Sequence, residues 1–202
     1  MDTGNADSQQ PQRQARRRPK KVTKARLERI AVHYLGRFSS SVENLRRVLT
    51  RRLDRADWPD EEARAEAEIW LAETVEKLVG QGLVSDSAYA EGRARSLHGQ
   101  GRSRRRIAEQ LRQKGVGRDA IEAALDLLVE ETQSPDLDFA AASRLARRRR
   151  LGPYRAEEAR AERRDRDLAA LARSGFSYDV ARRIIDAADT AELEDEAGIG
   201  LR

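Results

Sequence analysis

The chain has 202 residues, of which 40 are Lys or Arg, 35 are Asp or Glu, two are His and none is Cys, for a net charge of +5. Without Cys it has no disulfide framework, thiolate zinc site, iron–sulfur cluster or Cys nucleophile, and His33 and His98 are scant material for a metal site or a Ser-His-Asp triad. No run approaches about eighteen consecutive apolar residues and the N-terminus lacks the apolar stretch of a secretory signal, so a cytoplasmic protein that makes no membrane contact is expected.

Apolar residues make up 39% of the chain and aromatics 4%. So few large side chains argue for several small cores. Ala, Arg, Leu and Glu dominate and favour helices, and no alternating β-branched run marks a strand. Residues 1–24 carry a net +5 and, with the QQPQRQARRRPKK run, have almost nothing to bury. They read as a disordered basic arm. From Thr23, apolar residues at Leu27, Ile30, Ala31, Tyr34 and Leu35 recur at helical spacing, and Gly36 can end the helix. Ser40 with Glu43 forms a capping-box pattern ahead of a second stripe, Val42, Leu45, Val48, Leu49 and Leu53. Trp58-Pro59 with Asp60, Glu61 and Glu62 opens a third helix, which carries Ile69, Trp70, Leu78 and Val79 to Gly80 or Gly82.

A second cycle starts at Ser85-Asp86 and runs through Tyr89, Ala90, Ala94 and Leu97 to Gly99–Gly101. Ser103 caps the next helix, with Ile107 and Leu111 inward, and Gly117 opens another, with Ile121, Leu125 and Leu128 inward. A third cycle begins at Ser134-Pro135 and runs to the Arg147–Arg150 block. A longer helix follows from Tyr154 to Ser174, and a last one from Ser177 to about Ala188. The final dozen residues are acidic and are expected to fray. The cycles are related: Leu111, Gly115, Val116, Gly117 and Asp119 align with Leu171, Gly175, Phe176, Ser177 and Asp179. Ser41, Leu45 and Leu49 fall over Ser103, Ile107 and Leu111, with a long insertion or extended helix around residues 54–70.

The expected fold is therefore all-α: three tandem three-helix repeats forming an elongated, curved helical-repeat protein. The repeats span residues 25–84, 85–133 and 134–188, between the arm and an acidic C-terminal tail at 189–202. Their net charges are −1, +1 and +4, and the tail carries −4.

No Walker A loop or dinucleotide fingerprint is present. Acid pairs such as Glu61-Glu62 read as solvated helix faces. His33 and His98 read as surface or capping side chains. No catalytic residue, cofactor site or metal site is expected. What stands out is basic. Arg102, Arg104, Arg105 and Arg106 surround a helix start, where cations oppose the helix dipole at roughly 0.3–1 kcal/mol each before screening. A docked anion would reverse that cost, and Gly99 and Gly101 would let the loop backbone approach a partner closely. The second cluster is Arg144 with Arg147, Arg148, Arg149 and Arg150 at a helix C-terminus, where the dipole itself favours cations. Aromatics do not interleave with either cluster, so contacts would go to phosphates or carboxylates with little sequence readout.

The order of Gly82-Leu83-Val84-Ser85-Asp86, Tyr89-Ala90, Gly99–Gly101, then Ser103, Ile107, Leu111 and Lys114-Gly115-Val116 resembles the central repeat of the RecX regulatory proteins. Leu171 to Ser177 resembles that family's third repeat, and Tyr34-Leu35, Arg37, Ser41 and Leu45 its first. The resemblance covers roughly residues 25–188. It implies a non-enzymatic modulator, a monomer, that binds the RecA recombinase filament and its single- or double-stranded DNA. Such proteins dampen ATP hydrolysis, strand exchange and the co-protease activity behind the SOS response. The candidate contact residues are the two arginine clusters and Lys114. An alternative is a helix-turn-helix transcriptional regulator, which would need base-reading polar side chains on one helix; Gln110 and Gln113 are the main ones present. A carboxylate-based nuclease would need clustered acids that the sequence does not display.

Overall fold

The structure, a computed structural model, describes residues 22–134 and 136–198. Among these residues the secondary structure is entirely helical. The helices are α1 (Lys24–Leu35), α2 (Val42–Leu53), α3 (Glu61–Gly80), α4 (Asp86–Gly99), α5 (Arg104–Gln113), α6 (Arg118–Thr132) and α7 (Leu137–Arg149). A 3-10 turn (Gly152–Tyr154), α8 (Glu157–Arg173), α9 (Tyr178–Ile185) and α10 (Thr190–Glu196) follow. The protein is an all-α helical-repeat fold.

Among the described residues, three separate cores lie along the chain. The first gathers Leu27, Leu45, Leu49, Leu53, Val75 and Leu78 between α1, α2 and α3. The second gathers Leu97, Ile107, Leu111, Ile121 and Leu128 between α4, α5 and α6, and takes in Leu137 from the start of α7. The third gathers Leu145, Leu168, Leu171, Phe176 and Ile184 around α7, α8 and α9. Each fully buried Leu or Ile contributes about 1.5–3 kcal/mol relative to exposure. Cores of this size gain from stacking on their neighbours.

Local chemistry sets the helix ends. Thr23, Ser41, Ser85, Ser103 and Ser177 each accept an N–H from the first turn through a side-chain hydroxyl. The cap of α2 is thus Ser41, which bonds the N–H of Asn44, and not Ser40 of the expected capping box. The segment expected as an insertion or an extended helix is a short loop followed by α3, whose N-cap is Asp60. The third cycle's first helix is capped by Asp136; the proposed Pro135 start lies outside the described residues. The aligned turns after α5 and α8 are alike in detail. Gly115 and Gly175 have φ of 80° and 97°, a region that favours glycine. Val116 and Phe176 then donate N–H bonds back to the carbonyls of Leu111 and Leu171, at 3.1 and 3.3 Å, closing both helices in the same way.

The same joint occurs twice between successive cores. At the first, the Ser41 hydroxyl donates to the Lys114 carbonyl and the Val42 N–H donates to the Asp86 carboxylate at 2.9 Å. At the second, the Ser103 hydroxyl donates to the Ser174 carbonyl at 3.4 Å and the Arg104 N–H donates to Asp138 at 2.7 Å. In both, the N-terminus of one core's second helix is capped by the next core: by the carbonyl end of its second helix and by an acid in the first turn of its first helix. These N–H groups would otherwise have no intrahelical partner.

The end of the chain differs from the expectation. Residues 190–196 form α10, and Leu193 and Ala197 are buried in the third core. Two apolar side chains at helical spacing outweigh the acidic composition that suggested fraying. Of the basic arm expected over 1–24, residues 1–21 lie outside the described residues; Val22 is buried and Thr23 caps α1. Residues 199–202 of the expected tail also lie outside them.

Candidate partner-binding surface

The first arginine cluster divides between joint and surface. Ser103 is fully buried, and Arg102 is half-buried with its Nε out of reach of solvent and without a hydrogen-bond partner. The helix start is already satisfied from within: Asp138 takes the Arg104 N–H and the Ser103 hydroxyl takes that of Arg106. A carboxylate of this chain therefore occupies the place expected for a docked anion. Burial raises the Asp138 pKa, and the Arg104 N–H acts against that rise. The close approach expected at Gly101 is likewise internal. A Cβ on Gly101 would lie 3.1 Å from the Ala141 carbonyl and 3.2 Å from Leu145 Cβ, so the backbone that approaches this loop is α7 of the same molecule.

What faces outward is the side of α5. Arg104 and Arg105 are exposed. With Arg112 and with Arg118 of α6 they border a groove floored by Ala108, Ile121 and Leu125. Arg105, Arg106 and Arg112 border a second groove with Arg173, at the end of α8. Arg106 is committed to Glu109 at 2.7 Å, and its hydrogen bond and charge hold the Glu109 carboxyl below the usual range. Arg118 pairs with Glu122 at 2.7 Å, and Arg104 lies 3.8 Å from Asp126. Arg105, Arg112 and Arg173 make no ion pair among the described residues, which leaves their guanidinium groups available to anions. Arg112, Arg118 and Arg173 were not singled out from the sequence. Arg112 lies seven residues after Arg105 on one helical face, a spacing that could have found it. Arg173 comes from the next core and had no such signal.

Lys114 sits at the first joint, its Nζ 3.4 Å from the Asn44 side-chain oxygen. In the second cluster, Arg147 reaches Glu194 at 3.6 Å, and Arg148 donates to the Gln100 carbonyl at 2.8 Å. Arg148 thereby ties the second cluster to the loop that leads into the first. Arg149 and Arg150 are exposed, and Arg150 closes α7 with φ of 54°. Arg144 is half-buried, and burial lowers its pKa.

His98 is not the surface or capping residue that its position suggested. It is 3% exposed and its Nε2 has no hydrogen-bond partner; burial, helped by Arg144, pushes its pKa down to about 4. Gln110, needed by the helix-turn-helix alternative, accepts from Arg93 at 3.5 Å. Among the described residues no group of three or more His, Asp and Glu side chains is arranged to hold a metal, and no helix is long and apolar enough to cross a membrane.

Residues 85–125, which hold α4, α5 and the start of α6, match the family model described as RecX, second three-helix domain. A regulatory protein RecX of Myxococcus xanthus is 41% identical over 187 residues, covering 92% of this chain and 98% of the relative. A regulatory protein RecX of Agrobacterium fabrum is 39% identical over 112 residues, 55% of this chain and 56% of the relative. The crystal structure of RecX from Lactobacillus salivarius shares the fold, with a TM-score of 0.58 at 22% identity over 82% of this chain and 96% of that one.

Proposed function

The chain belongs to the RecX family of regulatory proteins, and from that premise we propose that it binds the RecA recombinase on its DNA filament and restrains it. In this reading it is a cytoplasmic monomer without catalytic activity of its own. It lowers RecA-driven ATP hydrolysis, strand exchange and co-protease activity, and thereby tempers DNA repair and the SOS response. The observation that carries the reading is the match to a full-length RecX relative across nearly the whole chain. The outward face of α5, with Arg104, Arg105 and Arg112 beside Arg173, supports it with cations available to an acidic, DNA-containing polymer.

The binding role falls on the exposed guanidinium groups. Arg102 has its Nε buried, Arg106 is paired with Glu109, and Arg147 and Arg148 brace neighbouring elements, while Arg149 and Arg150 extend the basic surface. Stacked repeats offer successive faces to a helical partner, and charged rims speed encounter and make it salt-dependent. The test is titration of the purified full chain into RecA with single-stranded DNA and ATP. The reading predicts a dose-dependent fall in hydrolysis at fixed DNA; unchanged hydrolysis at excess protein overturns it.

A further inference from the structure

The first repeat carries a basic groove that its overall charge conceals. Arg26, Arg29 and His33 come from one face of α1. Opposite them stand Arg51 and Arg52 of α2 and Arg55 just beyond its end. Ile30 and Val48 form the floor, and among the described residues no acidic side chain lines the groove.

The acids of these two helices point elsewhere. Glu28 pairs with Lys77 at 2.9 Å, Glu43 with Arg47 at 3.0 Å and Asp54 with Arg64 at 2.9 Å. Lys24, Arg47, Arg64 and Lys77, all outside the groove, are thus paired within the repeat. Arg29, Arg51, Arg52 and Arg55 make no ion pair among the described residues. A solvated face would interleave both signs, as Glu162, Arg163, Arg164, Asp165 and Arg166 of α8 do. Arg51 and Arg52 have a structural reason to be present, since they lie in the last turn of α2, where the helix dipole favours cations. That reason does not extend to Arg29, in the second turn of α1. Guanidinium groups remain charged at any accessible pH and repel one another across the groove.

We propose that the α1–α2 groove is a seat for the phosphodiester backbone of DNA, separate from the α5 surface and from contacts to protein. The Arg51–Arg55 wall runs about 6 Å and the α1 wall, from Arg26 to His33, about 10 Å at about 1.5 Å per residue. That length spans about three phosphates of one strand at about 3.4 Å of axis each. The floor is aliphatic, so the groove offers no stacking platform, and recognition is of backbone and not of sequence. Planar guanidinium forks on both walls suit phosphate oxygens.

The experiment is fluorescence anisotropy of a labelled DNA duplex with the full chain, without RecA, across a salt series. It therefore stands or falls apart from the ATPase test of the proposed function. Arg29→Gln/Arg51→Gln/Arg55→Gln is compared with Arg46→Gln/Arg47→Gln/Arg64→Gln, which removes equal charge from the same repeat outside the groove. The groove variant is expected to lose at least about tenfold in affinity at low salt and to flatten the log-log salt dependence by about 2 to 3, at about 0.9 per phosphate contact. The control variant keeps the wild-type slope, and the corresponding triple Arg→Lys variant keeps most of it. Far-UV circular dichroism verifies folding of each variant. Equal losses in the two Gln variants, or a groove variant that binds like wild type, overturn the proposal. The latter result would leave the groove to an acidic protein segment.

Discussion

Replacing Gly175 by Ala tests the repeated joint. Gly175 has φ of 97°, and a Cβ there would overlap the Ser103 hydroxyl and lie 2.7 Å from Arg106 Cγ. Two costs follow. The left-handed backbone costs an L-residue about 1–2 kcal/mol. Forcing the helix start of α5 away from the turn costs about another 1–3 kcal/mol, because Ser103 is both the cap of α5 and the donor to the Ser174 carbonyl. Gly82 supplies the reference: its φ is 69°, and an added Cβ meets nothing within 4 Å. Gly82→Ala therefore incurs the backbone cost alone. At about 2–4 °C per kcal/mol for a chain of this length, Gly82→Ala should lower Tm by about 3 °C and Gly175→Ala by about 9 °C. Thermal denaturation followed by far-UV circular dichroism reads both. Breaking the joint should also broaden or split the transition, since the third core then loses a stacked neighbour. Equal Tm values for the two variants, to within about 2 °C, would refute the view that this turn holds adjacent repeats together.

Other outcomes follow from single side chains. His98 is buried with its pKa held at about 4 against an ordinary 6.5, so between those values the unfolded chain binds the extra proton. Stability present above pH 6.5 is lost as the pH falls toward 4, by up to about 3 kcal/mol at about 1.36 kcal/mol per pKa unit. Urea unfolding midpoints at stepped pH should show this loss in wild type and a flatter profile in His98→Gln; matching profiles would contradict the assignment. Asp167 is 1% exposed. Burial alone would raise its pKa, but the Arg155 guanidinium, at 2.8 Å from both carboxylate oxygens, and the Gly152 N–H at 2.9 Å hold it below the usual range. Asp167→Ala leaves that N–H unpaired and Arg155 without its partner, a loss of about 3 kcal/mol, read as a lower urea midpoint; a change below about 1 kcal/mol would count against a structural role.

The sequence made the repeat visible where backbone conformation restricts residue choice. A left-handed turn after a helix leaves Gly as the natural residue, so Gly115 and Gly175 could be aligned without coordinates. Hydroxyl caps such as Ser85, Ser103 and Ser177 were legible for the same kind of reason. Interactions between distant segments were not. Asp86 and Asp138 look like ordinary first-turn acids, yet the carboxylate of each accepts the N–H of a helix start 44 or 34 residues earlier. Gly101 announced a close approach but not that α7 makes it. His98 was misplaced because polarity outweighed its position among the inward residues Ala94 and Leu97. The α1–α2 groove was hidden by averaging: residues 25–84 sum to −1 because α3 alone carries six acids, while over the same residues α1 and α2 together carry six bases and two acids. Charge summed by face and not by segment would have exposed it.

If the outward face of α5 carries the restraint of RecA, removing its cations must weaken inhibition. The most direct measurement compares wild type with Arg104→Ala/Arg105→Ala/Arg112→Ala in RecA-driven, DNA-dependent ATP hydrolysis. Helical content is matched by circular dichroism. The account predicts strong inhibition by wild type and at least about a tenfold higher concentration for half-inhibition by the variant, the equivalent of about 1.4 kcal/mol. Inhibition by the variant at wild-type concentrations, or hydrolysis indifferent to both proteins, would contradict it.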